Sequence, residues 1–223
     1  MKEHPILMNA AMVRAVLDGS KTQTRRALKR QPDYPIIIAT DPHTNRYQIG
    51  EREPVTEAAL QRASPYGQPG DRLWVRETFG YVSPDEHQRP HSECKIEYRA
   101  DLAPGCTDRP GQWPIDECKG DPERPRWRPS IHMPRAASRI LLEIVSVRVE
   151  RLQDISDADI EAEGIDMDAL AEAQDRYDTI AKDGNASGRA TLRMAWRELW
   201  ESTGGDWDAN EWLWVIEFKR VMP

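Results

Sequence analysis

Cysteines and long apolar runs are scarce in this chain, and each scarcity excludes a class of protein. Three cysteines in 223 residues are too few for a disulfide framework. No apolar run approaches the ~20 residues that a membrane-spanning helix needs. The opening residues, MKEHPILMNAAMVRAVLDG, show no secretory cleavage pattern. We therefore expect a cytoplasmic protein with no membrane partner.

Positive charge is also in deficit, since the formal net charge is −7. A general nucleic-acid coat is thereby disfavoured, because phosphate binding needs local positive charge. The charge is uneven, however: segment 124–139 holds five arginines and no acid, whereas segment 154–178 is strongly acidic. Such a basic face favours a specific anionic ligand over bulk polymer binding. The alternative is a solvated arginine face that pairs with the acidic segment.

The apolar patterns predict several short strands and few helices. Predicted strands cover 72–79, 96–100, 139–150 and the closing WLWVIEFKRV, and predicted helices cover 10–18, a short segment from Ser156 to Gly164, and 190–201. The inward parity slips by one residue between Ile144 and Val145, which indicates a bulge of the kind found at barrel corners. Residues 168–188 are interpreted as a mobile acidic insertion.

These elements predict an α+β fold that is mainly β. We expect a small, partly closed β-barrel with flanking helices. A length of 223 residues suits one domain, 1–223, with long loop insertions at about 28–68, 80–128 and 166–190. In the first insertion, the apolar run Ile36–Ile38 predicts one strand.

The segment that follows the first helix concentrates groups suited to acyl transfer. It places Lys21, Thr24, Arg25 and Arg26 within six residues of one another. A hydroxyl becomes a strong nucleophile only when a base takes its proton. Lys21 could be that base if burial or neighbouring cations lowered its pKa. In a regular strand, positions 21 and 24 face opposite sides, so their contact requires a turn between them. A solvated basic turn is the alternative.

This segment carries a resemblance. Gly-x-Lys-x-x-x-x-Arg, present as Gly19, Lys21 and Arg26, resembles the motif of the ASCH family, whose fold is similar to the RNA-binding PUA domain. Three further blocks resemble later elements of that family: GDRLWVRE from Gly70 to Glu77, AEG from Ala162 to Gly164, and the final strand WVIEFKRV. The block WRPSIHMPR, from Trp127 to Arg135, makes the chain similar to larger phage- and prophage-type members.

The resemblance implies an activity and its residues. One ASCH branch hydrolyses N4-acetylcytidine to cytidine and acetate with a lysine base, a threonine nucleophile and a glutamate proton donor. It places these roles on Lys21, Thr24 and Glu163. It implies no cofactor, and it makes a nucleoside or nucleotide the expected substrate. Without the resemblance, Glu163 would be interpreted as an ordinary solvent-facing helix residue.

Other residues are candidates for substrate binding or for a metal. Substrate contacts are expected from Arg25, Arg26, Trp74, Glu77, Trp127 and His132, the aromatic rings by stacking on a base. For Trp74, a position in the barrel core is favoured over stacking, whereas both interpretations stay open for Trp127. Cys94, Cys106 and Cys118 sit twelve residues apart but lack any Cys-x-x-Cys pair, so we expect no metal.

Two hypotheses of different classes follow. The first is an amidohydrolase acting on N4-acylated cytosine nucleosides or nucleotides. The second is a PUA-like module that binds RNA or modified nucleic acid through the arginine block, with a ribonuclease as its catalytic variant. The sequence leaves the acyl preference, the size of the substrate and the oligomeric state open.

Overall fold

The computed structural model describes residues 1–29, 31, 38–41, 44–48, 54–56, 62–84, 90–102, 109–112, 126–181 and 190–221. Within them, helix and strand are present in about equal amounts. The strands in chain order are β1 (Glu3–Leu7), β2 (Gln23–Ala27), β3 (Ile38–Asp41), β4 (Thr44–Gln48), β5 (Pro54–Thr56), β6 (Arg72–Arg76), β7 (Phe79–Val82), β8 (Lys95–Tyr98), β9 (Leu141–Arg151) and β10 (Trp212–Val221). The helices are α1 (Ala10–Asp18), α2 (Asp157–Ala162), α3 (Met167–Ala181) and α4 (Leu192–Ser202). No helix in the described ranges is both long and apolar enough to cross a bilayer.

The chain forms two compact units, and each is assembled from separate stretches of sequence. Unit 1 comprises Met1–Asp18, Asp71–Glu143 and Arg220–Pro223. Unit 2 comprises Gly19–Gly70 and Ile144–Lys219. Strand β9 begins in unit 1 and continues in unit 2.

The largest sheet is mixed and open. Its strand order is β1-β6-β9-β10-β2, with β1 parallel to β6 and the pairs β6–β9 and β10–β2 antiparallel. Smaller antiparallel sheets combine β3-β4-β5 in unit 2 and β7-β8 in unit 1. The described strands do not close into a barrel, and helix matches strand in amount. The mixed α and β composition is therefore confirmed, whereas the mainly β, closed arrangement is not seen.

Unit 2 places helix α2 by burying one side of it. Ile160 of α2 packs with Leu152, Trp196 and Leu213, all almost fully buried. Ser156 caps the helix start, because its side chain accepts a hydrogen bond from the Asp159 backbone N–H. The helix ends at Ala162, Glu163 is its C-terminal cap, and Gly164 follows with a φ of 81°, in the left-handed region that glycine tolerates best. A capped, packed helix of this kind fixes the residue at its C-terminal cap, Glu163.

Several sequence predictions are confirmed. Helices α1, α2 and α4 and strands β9 and β10 lie where the patterns predict them. In β9 the buried positions change parity between Ile144 and Val147, as predicted, but Val145, which the pattern placed inward, is 50% exposed.

Other predictions are wrong in an instructive way. Most of the acidic segment interpreted as a mobile insertion forms helix α3. The insertion at 28–68 contains the pairing strands β3, β4 and β5 rather than one strand; Ile36 and Ile37 lie outside the described residues. Strand β10 buries Leu213 and Val215 as fully as their alternating neighbours, because both of its faces are covered.

Candidate active site

A polar strand at the sheet edge carries the site. In β2, Gln23, Thr24 and Arg25 are all buried, which the sequence did not predict because the segment has no apolar alternation. The backbone of this segment is paired on both sides. On one side, β2 runs antiparallel to β10, and the Phe218 N–H donates to the Thr22 carbonyl at 2.9 Å. On its other side, the Thr22 N–H donates to the Ala162 carbonyl at 2.9 Å. The segment is thus held between β10 and the end of α2.

Lys21 and Glu163, 142 positions apart, meet in the interior of unit 2. The Lys21 Nζ donates to Glu163 Oε2 and to the Glu163 carbonyl, each at 2.7 Å. Lys21 is 2% exposed and Glu163 is 3% exposed. Burial lowers the pKa of the Lys21 ammonium, the negative charge of Glu163 opposes that effect, and the nearby charges of Arg26 and Arg25 add to it. A lysine in this setting gives up its proton more readily than one in water.

Arg25 binds the same carboxylate from the other side. Its Nη1 donates to Glu163 Oε1 at 3.0 Å, so that each oxygen of Glu163 faces one cation. Its Nη2 lies 2.9 Å from Glu150 Oε2 and 3.4 Å from Asp159 Oδ2. The Arg25 side chain is fully buried. Arg25 therefore contacts acids of the protein itself, whereas the sequence placed it on the substrate.

A further layer surrounds these groups. Arg148 bridges Glu150, Glu217 and Asp159. Gln23 donates to Asp159 Oδ1 at 2.6 Å. Lys21, Gln23 and Arg25 thus all reach α2 or its cap, which is what residues two apart on an extended strand do when one face of that strand packs on a helix.

Thr24 occupies the intervening position. It pairs with Ile216 of β10 and is 1% exposed. Strand alternation directs its side chain to the face opposite that of Gln23 and Arg25. The structure thus brings Lys21, Arg25 and Glu163 into contact, with the Thr24 hydroxyl on the same segment but at the opposite parity.

No match to this chain is found among protein families, curated proteins or solved structures. The site is therefore interpreted from its own geometry.

Arg26 and Tyr66 extend the site. Burial lowers the pKa of the partly buried Arg26 guanidinium, and the Tyr66 and Glu163 side chains oppose that change. The pKa of the Tyr66 phenol is raised by burial, and the positive charge of Arg26 opposes that change without reversing it. Tyr66 was missed in the sequence because its surroundings, PYGQPGD, are typical of a turn. The interaction between the two groups places Tyr66 beside the candidate site.

The remaining predicted substrate-binding residues belong to unit 1. Trp74 lies in β6 with the Arg76 guanidinium 5.4 Å from its ring centroid. Glu77 is 1% exposed, and Arg139 donates to both of its carboxylate oxygens at 2.9 and 3.0 Å. Burial raises the pKa of Glu77, and Arg139 opposes the change.

Trp127 and His132 also belong to unit 1. Trp127 is half-buried and His132 is exposed. The Arg99 guanidinium lies 5.8 Å from the Trp127 ring centroid.

The members of the arginine block have different partners. Arg135 binds Glu3, and Arg139 binds Glu77 and Asp101. Arg128 is exposed, lies 5.1 Å from the Tyr81 ring centroid and contacts His91. Arg126 is exposed, and Arg124 lies outside the described residues.

The predicted cysteine arrangement falls largely outside the described chain. Cys94 is described, whereas Cys106 and Cys118 are not. Among the described residues, no group of three His, Cys, Asp or Glu side chains is placed to hold a metal ion.

Proposed function

We propose that this chain is an amidohydrolase that removes the acyl group from the exocyclic nitrogen of an N4-acylated cytosine nucleoside or nucleotide. One observation carries the proposal: a buried lysine amine lies 2.7 Å from a buried carboxylate, with a hydroxyl three residues along the same segment. Burial and two neighbouring arginines lower the pKa of that lysine. Amide hydrolysis by a hydroxyl nucleophile needs a base, an acid and a nucleophile of these types.

The Lys21–Glu163 contact can supply the base and the acid together. Transfer of one proton from the Lys21 ammonium to Glu163 leaves a neutral amine and a carboxylic acid. For the next step, the amine must reach the Thr24 hydroxyl, which strand alternation directs to the opposite face of β2. It takes the proton of that hydroxyl while the Thr24 oxygen attacks the acyl carbon. The carbon–nitrogen bond breaks as Glu163 gives its proton to the departing exocyclic nitrogen. Water, activated by the site, releases the acid from the threonine ester.

Arg26 is the group that we assign to the substrate. It is partly exposed, and it lies within electrostatic range of Glu163 and Tyr66. A guanidinium there would stabilise the oxyanion of the tetrahedral intermediate, which is often the largest single contribution to catalysis. Tyr66 would offer its ring to the cytosine base.

Turnover of N4-acetylcytidine by the purified protein tests the proposal. We expect release of cytidine, measured by chromatography, and its loss in Thr24→Ala. Thr22→Ala is the matched control, because Thr22 is an exposed threonine two residues away whose backbone bonds do not depend on its side chain. Equal activity of the two variants would remove Thr24 from the nucleophile role.

Lys21→Arg tests the base. We expect no hydrolysis, because arginine keeps its positive charge and cannot accept the proton of a hydroxyl at neutral pH. The ion pair with Glu163 can still form in this variant, so its thermal unfolding reports whether the fold is kept. A folded, active Lys21→Arg protein would contradict a base role for Lys21.

The second candidate is a non-catalytic module that binds RNA or modified nucleic acid. The position of Thr24 favours this module. Its side chain lies on the face of β2 opposite to that of Arg25, so the lysine and the hydroxyl lie on different faces. The exposed Arg126 and Arg128 support the same candidate. Binding to RNA without turnover of N4-acetylcytidine would decide for this module, and cleavage of end-labelled RNA would identify a ribonuclease.

A further inference from the structure

Arg25 sits where a substrate cannot reach it. Its side chain is fully buried, and its two terminal nitrogens lie against carboxylates of the protein. The guanidinium also lies 5.8 Å from the ring centroid of Trp196, a core residue. A group enclosed on these sides acts on a bound substrate only through its neighbours.

The neighbour that matters is Glu163. This residue caps the C-terminus of α2, a helix of six residues. Lys21 binds Oε2 and Arg25 binds Oε1, so the two cations together fix the rotation of the carboxylate. Arginine suits this task because its planar fork is rigid and holds its charge.

Arg25 is itself anchored. Its Nη2 lies between Glu150 and Asp159, and both of these acids also contact Arg148. Glu150 lies in β9 and Asp159 in α2, so the guanidinium is tied to two elements besides its own strand. An anchored cation resists being drawn aside when Glu163 gains or loses a proton.

We propose that Arg25 is a positioning residue: held by Glu150 and Asp159, it fixes Glu163 Oε1 so that Oε2 faces the Lys21 amine. The effect of Arg25 on catalysis rests on the proposed function. The contact between Arg25 and Glu163 does not depend on it. Three groups face the Lys21 ammonium electrostatically: Glu163 from the end of α2, and Arg25 and Arg26 from β2. Removal of Arg25 takes away one charge that repels the Lys21 ammonium and one cation that binds Glu163.

The first experiment follows the Lys21 side chain directly by NMR titration of ¹³Cε-labelled lysine, with the signal assigned through Lys21→Arg. In Arg25→Gln we expect the pKa of Lys21 to rise by about one unit, because a nearby positive charge is lost. Arg25→Lys keeps a charge and is the milder change; its single ammonium cannot span the same acids, so we expect a smaller rise. An unchanged Lys21 titration in these variants overturns the proposal.

The second experiment separates positioning from substrate contact. With N4-acetylcytidine as substrate, we expect Arg25→Lys to lower kcat at least about tenfold with KM within about threefold, since it disturbs the acid and base rather than binding. Tyr66→Leu is the contrasting variant and should raise KM, because Tyr66 is the side chain assigned to the cytosine base. A higher KM with unchanged kcat in Arg25→Lys would make Arg25 a substrate contact. If the wild type shows no turnover, the proposed function fails, and the titration alone decides the positioning role.

Discussion

Burying a lysine is costly, and the residues around Lys21 show how the cost is offset. A charge in a protein interior needs a partner and satisfied hydrogen bonds. Lys21 has two acceptors, both on Glu163. Glu163 is shared with Arg25, so the acid has two cations while Lys21 has one anion. The two ends of the pair are therefore not equivalent.

This asymmetry predicts unequal effects on stability. We expect Glu163→Gln to lower the free energy of unfolding by about 3–5 kcal/mol, because it leaves a buried lysine without its counter-ion. Lys21→Met should cost less, since Glu163 keeps its contact with Arg25 and the methionine fills a similar volume. Urea unfolding followed by circular dichroism gives both values.

Glu161→Gln is the control for these variants. Glu161 is an exposed residue of the same helix, two positions before Glu163, and neutralising it should change stability by no more than about 0.5 kcal/mol. A larger loss in Lys21→Met than in Glu163→Gln would contradict the shared role assigned to the acid.

At the scale of elements, a short helix is tied to an edge strand by charged and polar side chains. Asp159 of α2 accepts hydrogen bonds from Gln23 of β2 and from Arg148 of β9. Burial would raise its pKa, but the hydrogen bonds from Gln23 and Ser156 and the charges of Arg148 and Arg25 outweigh burial and lower it below 3.8. The ionised form of Asp159 therefore stabilises the contact between helix and strand.

The sign of this shift predicts a pH dependence. A carboxyl whose pKa is lower in the folded state adds stability above its unfolded pKa and loses that contribution as pH falls through the folded value. We expect Asp159→Asn to cost about 1 kcal/mol at pH 7, a modest value because the side chain is 25% exposed and solvent screens its charge. The difference from wild type should shrink as pH falls below about 3.8.

Urea unfolding of both proteins at pH 7, 5, 4 and 3 measures that difference. Asp157→Asn is the comparison, since Asp157 is an exposed acid of the same first turn. A gap between wild type and Asp159→Asn that stays constant from pH 7 to pH 3 would show that the charge of Asp159 is not what stabilises the contact.

At the scale of the whole molecule, an acidic chain carries a block of five arginines in segment 124–139, and some of these arginines are exposed. In the described chain, Arg126, Arg128 and Arg135 of this block are exposed, and Arg135 and Arg139 pair with acids. The chain has a net charge of −7, so its affinity for a polyanion would depend on these few groups. The salt dependence of binding measures how many of these groups contact phosphates.

We expect any RNA affinity of this protein to fall with salt, and the slope of log K against log salt to become shallower when Arg126 and Arg128 are neutralised. Each lost phosphate contact reduces the slope by roughly 0.7 on a single strand. This slope can be measured by fluorescence anisotropy with a labelled single-stranded RNA at salt concentrations of about 50–200 mM. Arg135→Gln is the control, since Arg135 binds Glu3; an equal effect in that variant would point to overall charge instead of a binding face.

Local patterns predicted the elements whose cause is local. Helix α2 is bounded by a serine cap and a glycine with positive φ, and both signals are readable in the letters around Ser156 and Gly164. The order of the apolar residues in β9 likewise predicts that its buried positions change parity. Strands β1 and β2 were missed, because their polar or mixed residues form strands only through pairing with β6 and β10.

The sequence by itself determined the residue types of the candidate site and their order, with a lysine, a hydroxyl and two arginines in one short segment. Tertiary structure alone decided that Lys21 and Arg25 share Glu163, which follows 138 residues after Arg25, and that Arg25 is enclosed by acids. The physical reason is that burial and long-range ion pairing depend on which elements pack together. A strand and a helix cap so far apart in the chain meet only once the sheet and the core of unit 2 have formed.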